Sequence, residues 1–325
     1  MQKNRLVFVL LAALVLLMVA PLAHAQDGFQ LAERIAQKVA NGEPLVIRVS
    51  YHDVSNEFAP QIKAGVEKAA AELGATADVQ FVGPVGANAE EQVAELESLI
   101  AAGVDGLAIS SVATDALAPL INGALAEGIP VVTFNTDNPS SSRLAFVGQD
   151  LVGSGRIAGD LMAAQLNGEG KVIITTLDAA AQWSIDRETG AREALAKYPG
   201  ITVVTTVNTG TEPQGIYSAI ENAMLANPDV TGILSLECCS VSPAGEYVQR
   251  NGLTGQVKVV GFDLLPSTLE LIKSGNVQAT IGQAPDRQGY EAVMLLVKAI
   301  NGQEVADVDT GAEVVDASNI DNYLP

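Results

Sequence analysis

The sequence is poor in the residues that build disulfide frameworks and metal centres. Its 325 residues include two cysteines and two histidines, which excludes a multi-disulfide scaffold, an all-cysteine zinc site and a histidine-rich metal site. Basic residues are also scarce: 18 Lys and Arg stand against 38 Asp and Glu, for a formal net charge of −20. Nucleic-acid binding needs clustered Lys and Arg to neutralise phosphates. We therefore expect no nucleic-acid partner, no metal and no cofactor.

Apolar residues, by contrast, are abundant. They make up 48% of the chain although aromatics account for only 4%. This fraction is enough for buried cores and too high for a disordered chain. The length is a soft prior for about two domains.

The first 25 residues have the pattern of an export signal. Lys3 and Arg5 form a basic start, Leu6 to Ala20 is an unbroken apolar run of 15 residues, and Ala23-His24-Ala25 is a small-x-small cleavage site. The alternative is an uncleaved membrane anchor, but the run is shorter than the roughly 20 residues that span a bilayer. We predict a cleaved signal peptide over 1–25 and a periplasmic, extracytoplasmic mature protein.

From residue 45 onward, apolar β-branched runs alternate with segments of helical periodicity. Residues 26–43 are expected to form a short amphipathic helix or tether. Strands are predicted over 45–51, 78–82, 106–110, 130–134, 144–147, 171–176, 201–207, 230–236, 257–262 and 278–282. Helices are predicted over 58–74, 88–103, 114–127, 153–166, 185–197, 213–226, 242–251, 266–274 and 286–301. This alternation predicts an α/β protein with parallel sheets, and the polar break at 138–143 favours two doubly wound, Rossmann-like lobes over one closed barrel.

Ligands of open α/β sheets bind beyond the carboxyl ends of the strands. In this sequence the residues at those positions are polar or aromatic, with few aliphatic side chains. Carboxylates and amides pair with vicinal hydroxyls, and an aromatic ring packs against the C–H face of a sugar. The set therefore predicts recognition of a neutral polyol. It comprises Tyr51, His52, Asp53, Asn56, Phe58, Ser110, Ser111, Asn135, Thr136, Asp137, Gln182, Trp183, Arg187, Glu237, Cys238, Cys239, Asp263 and Gln283.

Seven segments, in order and at compatible spacing, carry a family resemblance. They are 55–58 (SNEF), 102–106 (AGVDG), 128–137 (GIPVVTFNTD), 148–159 (GQD leading into GRIAG), 187–190 (RETG), 259–263 (VVGFD) and 279–283 (ATIGQ). On these segments the chain resembles the type I periplasmic binding proteins of sugar ABC transporters, the ribose-binding-protein-like group of the periplasmic binding protein/LacI superfamily. The resemblance covers nearly all of the chain that follows the export signal.

The resemblance implies two lobes joined by three hinge crossovers, near 149–150, 282–283 and 311–312, with the ligand in the interlobe cleft. The N-terminal lobe would comprise 26–149 plus 283–311, and the C-terminal lobe 150–282 plus 312–325. Ligand that bridges both lobes favours the closed state. The expected partners are a small neutral sugar or polyol and an ABC-transporter permease, and the protein is expected to be a monomer.

Site residues are carried over by position. From the first lobe, Asn56, Phe58 and Asn135 or Asp137 would contact the ligand. From the second lobe, Arg187 would donate and Asp263 would accept, Glu237 stands at or beside the family's usual Asn, and Gln283 would touch ligand from a crossover. The chain departs from the ribose binders at Asn135-Thr136 and at Ala59, so the resemblance predicts a monosaccharide or polyol without specifying ribose.

Structural roles compete with ligand contact at several of these positions. Asn56 is equally suited to capping the following helix, Phe58 to the core, and Trp183, the only tryptophan, to a small satellite core rather than stacking on the ligand. Arg187 is predicted at the start of a helix, where the dipole disfavours a positive charge and a local reason is needed. Asp263 is suited to capping a turn.

Catalysis is not predicted, because no Gly-x-Ser-x-Gly elbow and no second histidine accompany His52 in the mature chain. The competing hypothesis is an exported sugar-active hydrolase, in which two of Asp137, Glu237 and Asp263 would be the catalytic carboxylates. A further alternative is the same fold binding a nucleoside, an amino acid or a signalling furanose. A DNA-binding repressor is excluded by the export signal.

Cys238 and Cys239 are adjacent and are the only cysteines. In an oxidising compartment they have only one another as partners. A vicinal disulfide would be strained, since adjacent Cα atoms lie ~3.8 Å apart, below the usual range for bridged cysteines. A possible disulfide and two free thiols both remain open.

Overall fold

The computed structural model describes residues 28–324, so the predicted signal peptide lies outside the described residues. The strands are β1 Leu45–Ser50, β2 Ala77–Val82, β3 Gly106–Ile109, β4 Val131–Phe134, β5 Phe146–Gly148, β6 Glu169–Thr176, β7 Gly200–Asn208, β8 Gly232–Ser235, β9 Lys258–Phe262, β10 Ala279–Gly282, β11 Val308–Asp309 and β12 Glu313–Asp316. The helices are α1 Glu33–Asn41, α2 Ala59–Leu73, α3 Ala89–Ala101, α4 Thr114–Ala126, α5 Leu151–Gln165, α6 Gln182–Leu195, α7 Pro213–Ala226, α8 Cys238–Arg250, α9 Pro266–Lys273 and α10 Pro285–Ile300.

Two six-stranded sheets form within residues 28–324. The first has the order β11-β5-β4-β3-β1-β2, with every neighbouring pair parallel, and the second has the order β12-β10-β9-β8-β6-β7, in which only β12 runs antiparallel to its neighbour. Every residue of β3, β4, β8 and β10 is buried, as expected where helices cover both faces of a parallel sheet. The predicted fold class, two doubly wound parallel-sheet lobes, is confirmed.

The chain passes between the two sheets at three places in its described part: 149–150, 283–284 and 310–312. Each passage follows the end of a strand. The first lobe therefore combines the early elements with α10 and β11, and the second combines β6 to β10 with β12. This arrangement brings the carboxyl ends of the parallel strands of both sheets toward one interlobe space.

Each lobe contains a pair of helices that touch through glycine. In the second lobe, a Cβ on Gly190 of α6 would lie 1.9 Å from the carbonyl oxygen of Val152, and one on Gly155 of α5 would lie 2.2 Å from that of Arg187. In the first lobe, a Cβ on Gly65 of α2 would lie 1.8 Å from the carbonyl oxygen of Asp286. These glycines let backbones approach too closely for any side chain.

Several features differ from the sequence-based prediction, including the start of α6, which lies at Gln182 rather than at 185. Helix α8 begins at Cys238 rather than at 242, because the Glu237 carboxylate accepts hydrogen bonds from the N–H groups of Cys239 and Ser240 and caps the helix there. Strands β11 and β12 were not predicted, since they are short edge strands of two and four residues.

None of the described helices combines the length and apolar character needed to cross a membrane.

Candidate functional site

A cavity of 60 Å³ lies between the lobes. Its lining comes mostly from residues that directly follow strands in the two sheets, where ligands of open α/β sheets bind. The lining consists of Tyr51, His52, Asn56, Phe58, Asn135, Thr136, Leu151, Leu177, Trp183, Arg187, Glu237, Cys238, Asp263 and Gln283.

The predicted ligand-contacting residues come together here, with one exception. Lining the cavity are Asn56, Phe58, Asn135, Trp183, Arg187, Glu237, Asp263 and Gln283. Asp137 lies outside the lining, because Arg143 holds its carboxylate through Nε at 2.6 Å and Nη2 at 2.7 Å. Thr133 and the backbone N–H of Asn138 also donate to it. This carboxylate secures the loop after β4, and the predicted ligand contact at Asp137 stays a prediction.

Arg187 supplies the positive charge of the cavity and is only 3% exposed. Its Nη1 donates to the carbonyl oxygen of Leu236 at 2.8 Å, and its Nη2 donates to Gln149 Oε1 at 3.1 Å. The guanidinium lies 4.0 Å from the centroid of the Phe262 ring. Its Nε is buried without a hydrogen-bond partner among the described residues, although buried donors are nearly always paired.

Arg187 lies farther along its helix than the sequence-based prediction placed it. Helix α6 begins at Gln182, so Arg187 lies within the helix rather than at its first turn. The backbone contact between Gly155 and Arg187 brings α5 against α6. Burial lowers the pKa of Arg187, and the negative charge of Asp263 opposes that change. The local reason for this arginine is therefore the set of buried hydrogen bonds and the ring contact that its guanidinium makes.

Glu237 is both a helix cap and a cavity residue. Its Oε2 accepts from the N–H of Cys239 at 2.5 Å and of Ser240 at 3.3 Å, and its Oε1 accepts from the Ser240 hydroxyl. Burial raises the pKa of Glu237 to about 7, and the nearby charge of Asp263 adds to this rise. Near neutral pH the carboxyl therefore exchanges between a hydrogen-bond donor and an acceptor at the cavity wall.

Asp263 and Asn135 occupy matching positions in the two lobes, directly after β9 and β4. Both have left-handed backbone conformations, with φ of 72° and 59°, which Asp and Asn tolerate better than other side chains. Asp263 Oδ1 accepts from Gln283 Nε2 at 2.7 Å. Burial raises the pKa of Asp263, whereas the charge of Arg187 and the hydrogen bond from Gln283 oppose the rise. Strained backbone at both positions turns a polar side chain into the interlobe space.

The part of the cavity lining that the first lobe supplies includes aromatic side chains and a side-chain amide. Asn56 Oδ1 accepts from the N–H groups of Phe58 and Ala59, so the Asn56 side chain binds the backbone at the start of α2 and also lines the cavity. Phe58 is buried in the first-lobe core and reaches the same cavity. His52 Nδ1 lies 2.8 Å from the Ser110 hydroxyl, and burial lowers the pKa of His52 to about 4 while Asp53 opposes this.

Two lining residues carry no signal in the sequence. Leu151 and Leu177 are ordinary aliphatic side chains at the start of α5 and just after β6. Trp183 is partly buried and lines the cavity. Only the assembled fold shows that these apolar groups face the same space as the polar ones.

Two glutamines join the crossovers to the cavity residues. Gln149 Nε2 donates to the carbonyl oxygens of Gly282 and Gly311, which places one side chain against all three crossovers, and its Oε1 accepts from Arg187. Gln288 Oε1 accepts from Asn135 Nδ2 at 3.0 Å, and its Nε2 donates to the carbonyl oxygen of Gln283. Residues of the cavity are thus hydrogen-bonded to the segments about which the lobes would rotate. Sequence reasoning identified the segment of Gln149 but not this role.

An outer groove of 900 Å³ adjoins the cavity. Asn56 and Leu177 line both spaces. The groove is walled by first-lobe loops and by α7 and α8 of the second lobe, including Tyr217 and Arg250, whose guanidinium lies 5.1 Å from the Tyr217 ring centroid. The groove is the wide side of the interlobe cleft.

Comparisons with known proteins agree with this architecture. The chain is 28% identical to the "Xylose/arabinose-binding protein XylF" of Sulfolobus acidocaldarius over 84% of this chain and 71% of the relative. It is 27% identical to the "Ribose import binding protein RbsB" of Salmonella typhimurium over 78% of this chain and 83% of that protein. An ABC transporter solute-binding protein from Burkholderia graminis, solved in complex with D-arabinose, superposes with a TM-score of 0.82 at 30% identity, covering 87% of this chain and 99% of that structure.

A family model described as "Periplasmic binding protein domain" matches residues 47–304, from β1 to just after α10. The matched range includes every residue that lines the cavity. The chain belongs to the periplasmic binding protein family.

Proposed function

We propose that the protein is an extracytoplasmic solute-binding protein that captures a monosaccharide or polyol between its lobes and delivers it to an ABC-transporter permease. The observation that carries the proposal is the composition of the interlobe cavity. One lobe supplies Asn56, Phe58 and Asn135, and the other supplies the buried cation Arg187 beside the acceptor Asp263. The Nε of Arg187 has no hydrogen-bond partner within residues 28–324, and it is a donor that a ligand hydroxyl would satisfy.

The mechanism follows from the two-sided lining. A ligand that hydrogen-bonds to residues of both lobes interacts fully only with the closed arrangement, and this difference in affinity shifts the population toward closure. The bonds from Gln149 and Gln288 to the crossovers connect the ligand contacts to the rotating segments. Phe58 and Trp183 offer ring faces to the C–H face of a sugar.

The names of the relatives limit the set of candidate ligands that should be tested for binding. Those named above bind xylose, arabinose or ribose according to their names, and others are named for D-allose and xylitol. We propose that the ligand is among these pentoses, hexoses and pentitols. Protein starting at Gln26 would be titrated with each compound by calorimetry, with adenosine and L-leucine as controls for the nucleoside and amino-acid alternatives.

Binding also has a thermal readout. A ligand specific for the folded state stabilises it by about 4 kcal/mol at roughly 1,000-fold excess over Kd. Stabilisation by one sugar or polyol and not by adenosine or L-leucine supports the proposal. A protein that none of the sugars stabilises, or one that instead releases product from aryl glycosides, contradicts it.

Further parts of the proposal concern the protein in the cell. We propose that the signal peptide is cleaved after Ala25, that the mature protein is a periplasmic monomer, and that Cys238 and Cys239 oxidise to a disulfide in that compartment. N-terminal sequencing of exported protein tests the first, and light scattering during gel filtration tests the second. Stimulation of the cognate permease ATPase in proteoliposomes by sugar-loaded protein tests delivery.

A further inference from the structure

Two adjacent cysteines lie where the ligand cavity meets the outer groove. Cys238 lines the cavity and Cys239 lines the groove, and their sulfur atoms are 2.7 Å apart. Both belong to the first turn of α8, directly after its cap Glu237. The sequence contains no other cysteine, so all thiol chemistry of the protein falls on this pair.

The two side chains also form part of the contact between the lobes. Although α8 belongs to the second lobe, Cys238 is part of the first-lobe hydrophobic core, and Cys239 packs against the cores of both lobes. Two thiols rotate independently among staggered rotamers, whereas a disulfide holds both side chains in one geometry. Ordering rotatable groups on closure costs free energy, and fixing them beforehand removes that cost.

The pair is further coupled to a polar cavity residue. The N–H of Cys239 donates to Glu237 Oε2, so the position of this carboxyl depends on the backbone of the second cysteine. Glu237, Cys238 and Cys239 also bring potential metal-ligating atoms within 4.8 Å of one another. The Glu237 oxygens, however, already accept bonds from Cys239 and Ser240, so this carboxyl acts as a cap within the protein.

Resting on the proposed sugar-binding function, we propose that Cys238 and Cys239 are positioning residues which, joined as a vicinal disulfide, hold the Glu237 turn and the interlobe contact in the sugar-binding arrangement. The bond forms by exchange with a disulfide oxidant. The two thiols lose two protons and two electrons, an Sγ–Sγ bond forms, and the oxidant disulfide is reduced to two thiols. A dithiol reductant reverses the reaction.

Sugar affinity then depends on the redox state of the pair, and the dependence is reciprocal. If oxidation tightens sugar binding tenfold, sugar must favour the disulfide tenfold over the dithiol. For a two-electron couple this factor is about 30 mV in reduction potential. Bound sugar should therefore make the disulfide harder to reduce.

The experiment uses mature protein dialysed against a chelator and oxidised with excess oxidised glutathione. Intact mass should rise by two hydrogens on reduction with dithiothreitol. By calorimetry, the tightest-binding sugar of the panel should bind the reduced protein about tenfold more weakly than the oxidised protein. Saturating sugar should also slow reduction of the bond, an effect that a purely structural disulfide would not show.

Two variants test whether the redox dependence of sugar affinity comes from the cysteine pair or from another part of α8. The Cys239→Ser protein should have the same Kd with and without reductant. The Gln249→Ala protein, altered at an exposed position near the other end of α8, should keep the wild-type redox dependence.

Three outcomes would overturn the inference. The first is an intact mass that reduction does not change. The second is equal sugar affinity in the oxidised and reduced proteins, which leaves the proposed function standing. The third is the absence of sugar binding in both forms, which removes the proposed function and the inference with it.

Discussion

Removal of the buried guanidinium of Arg187 is the substitution with the best-defined expected cost. In Arg187→Met the carbonyl oxygen of Leu236 and Gln149 Oε1 lose their donor, and the buried carboxyl of Asp263 loses the opposing charge that lowers its pKa. A buried acceptor left without a donor costs about 1–3 kcal/mol, so the loss of both bonds should cost on the order of 3–5 kcal/mol. At about 2–4 °C per kcal/mol, the melting temperature should fall by roughly 10 °C.

The loss should depend on pH in a defined direction. Burial raises the pKa of Asp263, and removal of Arg187 raises it further. A carboxyl whose pKa is raised in the folded state contributes stability at low pH that is lost as pH rises through the folded pKa. The difference in melting temperature between wild type and Arg187→Met should therefore be larger at pH 8 than at pH 5. Scanning calorimetry at both pH values measures it.

A matched control lies on the same helix. Arg192 of α6 pairs with Glu188 and its side chain is 46% exposed, so Arg192→Met should cost under about 1 kcal/mol. Sugar affinity should fall by roughly 30–150-fold in Arg187→Met, because hydrogen bonds to a charged donor contribute about 2–3 kcal/mol. Equal stability of Arg187→Met and Arg192→Met at pH 8, with unchanged sugar affinity, would refute the reasoning.

The remaining predictions concern titration and packing. Because burial raises the pKa of Glu237 to about 7, its contribution to the free energy of unfolding is complete below about pH 4.5 and is lost as pH rises through 7. In the Glu237→Gln protein, the free energy of unfolding measured with urea should therefore fall less between pH 5 and pH 8 than it does in the wild type, by on the order of 2–3 kcal/mol. Burial lowers the pKa of His52 to about 4, so stability is lost as pH falls from 6.5 through 4, and His52→Gln should resist acid better in circular dichroism titrations. Gly190→Ala places a Cβ 1.9 Å from a backbone oxygen, so it should lower the free energy of unfolding, measured thermally, by about 1–3 kcal/mol or more. Gly123→Ala, in an open position inside α4, should raise it by up to about 1 kcal/mol.

Each of these predictions has a result that contradicts it. For Glu237 it is a pH profile of Glu237→Gln that superposes on the wild-type profile. For His52 it is an unchanged midpoint of acid unfolding. For the glycines it is equal thermal stability of the Gly190→Ala and Gly123→Ala proteins, which would mean that α5 and α6 do not approach as closely as described.

The fold could be predicted from the sequence because every signal was local and repeated. Apolar β-branched runs alternate with helical periodicity from β1 to α10, and a parallel sheet follows from that alternation. The rule that ligands bind beyond strand ends then identified a set of polar residues, of which Asn135 and Asp263 are the clearest examples. Their left-handed backbone conformations were not visible in the sequence.

Side-chain contacts account for what sequence reasoning missed. The sequence did not predict that Arg143, in the following turn-rich segment, binds the carboxylate of Asp137. The sequence-based prediction began α8 at 242, whereas the Glu237 cap begins the helix at Cys238. The bonds of Gln149 to Gly282 and Gly311 join segments more than a hundred residues apart, which no local pattern predicts.

A crystal structure of the protein with the tightest-binding sugar or polyol of the panel tests the central claim most directly. It should show one ligand in the cavity between the lobes, hydrogen-bonded to Asn135 or Asn56 on one side and to Arg187 and Asp263 on the other. A sugar held by one lobe alone, or bound outside this cavity while Arg187 and Asp263 remain without ligand contact, would contradict the account.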